Sequence, residues 1–292
     1  MKLAAALLAA SMIAACSTSA PRVTATTVVV QPGNPFRTGR TLVIPHGGGD
    51  GLFPENTLYA YERSMALGAD VVDIDVSLSA DDIPVAFHDA TLKRTTNASG
   101  PVDDRTAAEL ATLDAGWGFE RDGGHPFRSK GIGVPTVEQI LRRFPTTPVT
   151  LDMKDESVDA VGPVCALLRS LDRTHDVYVG TDGGTQVAAF RATCPEVATS
   201  GTDDERRAAR AARDAGDATF VTRQKVSQPS YRNGDGTLRV TKESLAFSHS
   251  KGIAVLTWLV DDPNDMAALI ELGVDGIYTS RPDILVKLLR GG

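Results

Sequence analysis

Cysteine is scarce in this 292-residue chain, occurring only three times, and basic charge is not in excess. Thirty Lys and Arg stand against 37 Asp and Glu, a formal net charge of -7. A nucleic-acid partner therefore finds no electrostatic support, although an acidic protein can still bind phosphate esters where a metal ion supplies positive charge. Cys165 and Cys194 lack the local spacing of a metal or redox site. Beyond the first sixteen residues no apolar run approaches the roughly 20 residues that span a bilayer. Also missing is a glycine-rich phosphate loop between a first strand and a following helix, which counts against a doubly wound nucleotide-binding sheet. With 42% hydrophobic and 23% charged residues, the chain can fill one large core or two small ones.

What is present begins with a signal. Residues 1–16 read MKLAAALLAASMIAAC, one lysine followed by apolar and then small residues, the pattern of a secretory leader. Its Ile13-Ala14-Ala15-Cys16 end looks like a bacterial lipobox, in which Cys16 becomes the lipidated first residue of the mature chain. We therefore expect a signal peptide over 1–15, a polar Thr- and Pro-rich tether over 16–40, and one folded domain over 41–292. The expected location is outside the cytoplasm, anchored to a membrane through lipid. Export permits a disulfide between Cys165 and Cys194, but the sequence favours buried thiols.

Short β-branched runs alternate with helical stretches throughout the domain. Strands are expected at 42–46, 71–78, 83–88, 148–153, 177–180, 196–200, 218–222, 253–260 and 274–279. Helices are expected at 56–67, 106–113, 136–143, 157–171, 185–193, 203–215, 241–251 and 263–272, several starting at caps such as Asn56 or Asp262. Repeated β-then-α units imply parallel strands with both faces covered, and about eight of them imply a (β/α)8 TIM barrel. Nine strand candidates are one too many. The gap between 78 and 83 has no room for a crossover helix, so that pair is irregular.

Function in such a barrel collects where strands end. His46 ends the first strand candidate. Asp73 and Asp75 share one face of the second, His88 closes the third, and Asp152 and Lys154 close the fourth. Each residue has an ordinary structural use when taken alone, and their coincidence at one end of four strands argues for a site. Three converging carboxylates repel one another unless a cation joins them, and hard oxygen ligands suit Ca²⁺ or Mg²⁺. Two histidines titrating near neutral pH supply an acid and a base, while the lysine suits a phosphate oxygen.

The segments 44–60 (IPHGGGDGLFPENTLYA), 68–76 (GADVVDIDV) and 84–100 (PVAFHDATLKRTTNASG) resemble the signature of the glycerophosphodiester phosphodiesterase family. The likeness extends through Asp152-Met153-Lys154, Thr257-Trp258 and 276–282 (GIYTSRP). It implies hydrolysis of glycerophosphodiesters to glycerol 3-phosphate and an alcohol. His46 and His88 would be catalytic, Asp73, Asp75 and Asp152 metal ligands, and Lys154 a phosphate contact. Glu55 and Asn56 would support the site and Trp258 would form a wall beside the substrate. Two departures accompany it. Gly47 stands where the family usually has an arginine that binds phosphate, leaving Arg94 or Arg281 to serve in its place. Asp73 and Asp152 stand where glutamate is usual. A missing arginine and an Asp-x-Lys element also resemble phospholipase D toxins of the same barrel superfamily, which cyclise lysophospholipids. A lipoprotein that binds glycerophosphodiesters without turnover is the non-enzymatic alternative.

Overall fold

The computed structural model describes residues 34–154, 157–181 and 183–290. The expected signal, Cys16 and the tether up to residue 33 lie outside the described residues. The expected barrel is observed. Eight parallel strands run in chain order as β1 (Leu42–Pro45), β2 (Val72–Leu78), β4 (Val149–Met153), β5 (Val177–Gly180), β6 (Ala198–Thr199), β7 (Val226–Ser227), β8 (Ala254–Thr257) and β9 (Gly276–Thr279). The ninth candidate is β3 (Pro84–Ala86), which pairs antiparallel with β2 and so explains the short gap between them. Pairing runs β1-β9-β8-β7 in one arc and β2-β4-β5-β6 in the other. Asp70 closes one seam: its backbone N–H donates to the Val43 carbonyl (3.0 Å), and its carboxylate accepts from the Val43 N–H (2.9 Å). At the other seam the Gln224 side chain, just before β7, lies against Gly201, just after β6.

The barrel interior is filled by Leu42, Ile44, Tyr178, Leu256 and Tyr278. The apolar faces of β2, β4 and β5 meet α3 (Val137–Arg143), α4 (Val161–Ser170) and α5 (Gly184–Thr193). Those of β1, β8 and β9 meet α7 (Lys242–Ser250), α8 (Pro263–Leu272) and α9 (Pro282–Arg290). Each fully buried Leu or Ile stabilises this arrangement by about 1.5–3 kcal/mol, before chain entropy is set against it.

Several expectations shift. The helix expected from residue 56 is α1 (Leu58–Leu67), capped by the Thr57 hydroxyl, which accepts from the Ala60 N–H (3.1 Å). Asn56 is no cap; it adopts a left-handed backbone and turns its side chain inward. The run 218–222 is not a strand: Val221 is exposed, Phe220 stacks on Phe247, and the strand forms at Val226–Ser227, where pairing with β8 is available. The expected tether ends early. The Asn34 amide donates to the Lys225 and Gly252 carbonyls (2.7 and 3.2 Å), Phe36 is fully buried in the interior cluster, and Arg40 pairs with Asp70. These partners precede β7, β8 and β2, so the strap crosses the face opposite the strand ends.

The loop 114–134 is partly core. Ala115, Ile132 and Val134 are buried, and Phe127 packs against Tyr59 and Phe119. The buried-thiol expectation is overturned as well: Cys165 of α4 and Cys194 at the end of α5 form a disulfide with Cα atoms 5.8 Å apart. Among the described residues no helix is long and apolar enough to cross a membrane.

Candidate active site

Strand register builds the site. Asp75 stands opposite Asp152 on β2 and β4, and Asp73 stands opposite Thr150 one layer deeper. Side chains two apart share a face, so both aspartates of β2 point into the barrel at different depths. Burial follows depth. Asp73 and Asp75 are 5% and 3% exposed, whereas the Asp152 side chain at the rim is 42% exposed.

Asp73 is held from two sides. Its Oδ1 accepts from the Thr150 hydroxyl at 2.6 Å and its Oδ2 from the Gly47 N–H at 3.1 Å. Its carboxyl is nevertheless pushed above the usual range, first by burial and then by the charge of Asp75. Asp75 accepts from the Asn56 amide (2.7 Å), while Asn56 Oδ1 accepts from the Asp75 N–H (3.1 Å) and the Tyr61 hydroxyl (2.9 Å). The Lys154 ammonium bridges the upper pair, 2.6 Å from Asp152 Oδ2 and 3.1 Å from Asp75 Oδ1. Burial lowers the Lys154 pKa, but the charges of Asp75 and Asp152 outweigh it and the net shift is upward.

Both histidines sit at this end, and both are held through Nδ1. His46 Nδ1 lies 3.1 Å from Asp50 Oδ2, and His88 Nδ1 lies 2.8 Å from Asp89 Oδ1. Burial is the largest influence on His46 and lowers its pKa. The Asp50 hydrogen bond and the charges of Asp73, Asp50 and Asp75 together exceed it, raising the pKa to about 9. Arg94 is engaged by two carboxylates in this structure. Its Nε and Nη2 donate to Asp89 (2.7 and 2.8 Å), and its Nη1 and Nη2 donate to Glu55 (both 2.6 Å). Four charge-assisted bonds make it a strut between Glu55 and the carboxylate that holds His88. Arg281 is likewise paired, with Asp283 (2.9 and 2.8 Å). Both arginines that could serve in place of the one Gly47 replaces thus have carboxylate partners.

The donor set suits a hard divalent cation in chemistry: three carboxylates are answered by one lysine. In position the set is not gathered. Among the described residues, the one group of three such ligand atoms lying within 4.8 Å of one another is Cys165, Cys194 and Glu196. The disulfide removes those sulfurs as ligands. The Lys154 ammonium lies between the upper two of the three carboxylates, Asp75 and Asp152.

Trp258, 48% exposed at the end of β8, stands on the rim with its indole N–H donated to the Gln228 carbonyl (2.7 Å). The Gln228 side chain links the Tyr178 and Tyr278 hydroxyls (2.9 and 2.5 Å) beneath it. Sequence reasoning missed roles for Asp50, Asp89, Thr150 and Gln228. Asp89 adjoins His88 and Asp50 follows His46 by four residues, so both carried a signal; Thr150 and Gln228 carried none.

A barrel with two carboxylate-held imidazoles, an acidic pair and a lysine at its strand ends defines an enzyme of the phosphoric diester hydrolase class. The model of the glycerophosphoryl diester phosphodiesterase family matches residues 46–284. The chain belongs to that family. It is 27% identical over 272 residues to a glycerophosphodiester phosphodiesterase of Bacillus subtilis strain 168, covering 89% of this chain and 90% of the relative. A glycerophosphodiester phosphodiesterase structure from Agrobacterium tumefaciens strain C58 superposes with a TM-score of 0.67 at 25% identity, over 84% of this chain and 99% of that one. An Oleispira antarctica phosphodiesterase structure, in complex with the product sn-glycerol-3-phosphate, superposes with a TM-score of 0.69 at 22% identity, over 86% and 98%.

Proposed function

We propose that the chain hydrolyses glycerophosphodiesters to glycerol 3-phosphate and an alcohol, with His46 and His88 as the acid/base pair. The observation that carries this reading is the matched anchoring of the two imidazoles, each tied by Nδ1 to an aspartate beside Asp75, Asp152 and Lys154. In the reaction one imidazole takes a proton from the attacking water. The P–O bond to the alcohol breaks, and the other imidazole protonates the departing oxygen. Lys154, freed from the carboxylates, would meet a phosphate oxygen, and the Trp258 ring would cover the substrate from the rim. Asp75 and Asp152, with Asp73 beneath them, would hold a divalent cation, Ca²⁺ or Mg²⁺. When bound, the ion would offset the charge building on the phosphate oxygens.

The test is release of glycerol 3-phosphate from glycerophosphocholine, with and without EDTA. Loss of release with EDTA and in both His46→Ala and His88→Ala is expected, while full activity in either variant would sink the acid/base assignment. Phosphorus NMR of the products reads the alternative outcome, since a cyclising enzyme yields a cyclic phosphate. Tight calorimetric binding without any product would instead mark a binding protein.

We also propose export with lipidation at Cys16. The Cys165–Cys194 bridge supports an oxidising compartment, because such bonds are rare in reducing cytosol. Palmitate labelling of the protein, lost in Cys16→Ala, tests the anchor.

A further inference from the structure

The run His46-Gly47-Gly48-Gly49-Asp50 is a turn closed on itself. The Gly49 and Asp50 N–H groups both donate to the His46 carbonyl (2.7 and 3.2 Å). Gly47, Gly48 and Gly49 adopt φ of 51°, 89° and 89°, a left-handed path that side chains resist. Space is short at two of them as well: a Cβ on Gly48 would lie 2.8 Å from the Ala60 Cβ, and one on Gly49 would lie 3.1 Å from Pro282 Cγ. Three consecutive glycines are thus what lets the chain curl tightly enough to bring Asp50 back to the imidazole four residues earlier.

The Asp50 backbone is fixed without help from the His46 side chain. The following Gly51 N–H donates to the Ser280 carbonyl (3.2 Å), and the Leu52 and Phe53 N–H groups donate to Gly49 (2.8 and 3.0 Å). The carboxylate is therefore delivered by the scaffold, and the imidazole rests against it. On the other side of the site Asp89, braced by Arg94, meets the same ring atom of His88. Among the described residues neither histidine has a hydrogen-bond partner at Nε2.

We infer that Asp50 is a positioning residue for the reaction: through Nδ1 it fixes the His46 ring so that Nε2 faces the reacting phosphate. The inference rests on the acid/base reading above. It gives the triple glycine a purpose, since the turn that leaves no side chain at position 47 is the turn that supplies the carboxylate.

The experiment compares Asp50→Ala and Asp50→Asn with His46→Ala, reading kcat and KM for glycerophosphocholine, thermal unfolding, and the proton NMR signal of the His46 Nδ1–H. In wild type that proton is expected far downfield, bound to a carboxylate, and absent in His46→Ala. In Asp50→Ala it should be lost, with kcat down on the order of 10- to 100-fold, at or below the low end of what a positioned acid–base group contributes, because the imidazole itself remains. KM should stay within about threefold, because substrate binding does not use Asp50. Asp50→Asn preserves the volume of the turn, so it reports on the charge even if the alanine variant unfolds. Folded Asp50 variants with wild-type kcat, or with the Nδ1 proton unmoved, overturn the inference. If His46→Ala itself retains full activity, the acid/base reading fails instead, and the two failures stay distinct.

Discussion

Asp73 and Thr150 face each other across β2 and β4, and the Thr150 hydroxyl donates to Asp73 Oδ1 at 2.6 Å. The bond holds a buried carboxylate one layer below the rim, where an unpaired charge would be costly. Removing the hydroxyl as Thr150→Val should destabilise the fold by about 1–3 kcal/mol, the cost of leaving a buried acceptor short of a donor. Urea unfolding measures it. The same depth bears on the proposed cation site: in calorimetric titration with Ca²⁺, Asp75→Asn should weaken binding more than Asp73→Asn, and the reverse order would show that the deeper carboxylate is the main ligand.

Asp89 is held to about 2, chiefly by the Arg94 hydrogen bonds, which outweigh the opposing effect of burial; His88 adds to the lowering. A depressed carboxyl pKa stabilises the fold above the unfolded value of about 3.9, and that contribution is lost as pH falls through the folded value. Arg94→Met should therefore be less stable than wild type at pH 7. The gap should narrow as the pH falls from about 4 towards about 2, where Asp89 becomes protonated in both proteins. Denaturant midpoints across that range test it, and a gap that widens on acidification would contradict the pairing.

The Cys165–Cys194 bridge closes a span of 29 residues. A loop of that size removes about 3.5 kcal/mol of unfolded-chain entropy in the chain-entropy account. The double variant Cys165→Ala/Cys194→Ala should lose stability of that order while KM stays unchanged, since the bridge joins α4 to the end of α5, away from the strand ends. Reduction of wild type should reproduce the loss.

Gly47 and Gly48 should respond differently to substitution. A Cβ on Gly47 meets Glu55 Cβ at 3.4 Å, ordinary contact, whereas one on Gly48 would meet Ala60 at 2.8 Å. Gly47→Arg should fold at a cost of about 1–2 kcal/mol for its left-handed backbone. It should also lower KM for glycerophosphocholine, by restoring the arginine expected from the family pattern. Gly48→Ala should lose more stability than Gly47→Arg, and equal losses would mean that the turn moves aside readily.

The barrel was legible because its signals are local. Alternating strand and helix runs, the Asp262 cap and the αL glycines Gly68 and Gly273 all fall where short-range patterning places them. The histidines, aspartates and Lys154 could be read as a group because strand ends converge in any parallel barrel. Misreadings cluster where distant partners decide. The strut role of Arg94 could not be read, because Glu55, which accepts two of its four bonds, lies 39 residues away. The run 218–222 has strand composition and no neighbouring strand to pair with.

By itself, then, the sequence determined the element order, the closed parallel architecture and the roster of polar groups at one end of it, since each follows from side-chain periodicity along a short stretch. Tertiary structure alone decided the depth of Asp73, the strut made by Arg94, the return of Asp50 to His46 and the pairing of Cys165 with Cys194. The reason is geometric. Strand register, turn closure and the packing of one helix on another depend on groups that only folding brings within a few ångströms.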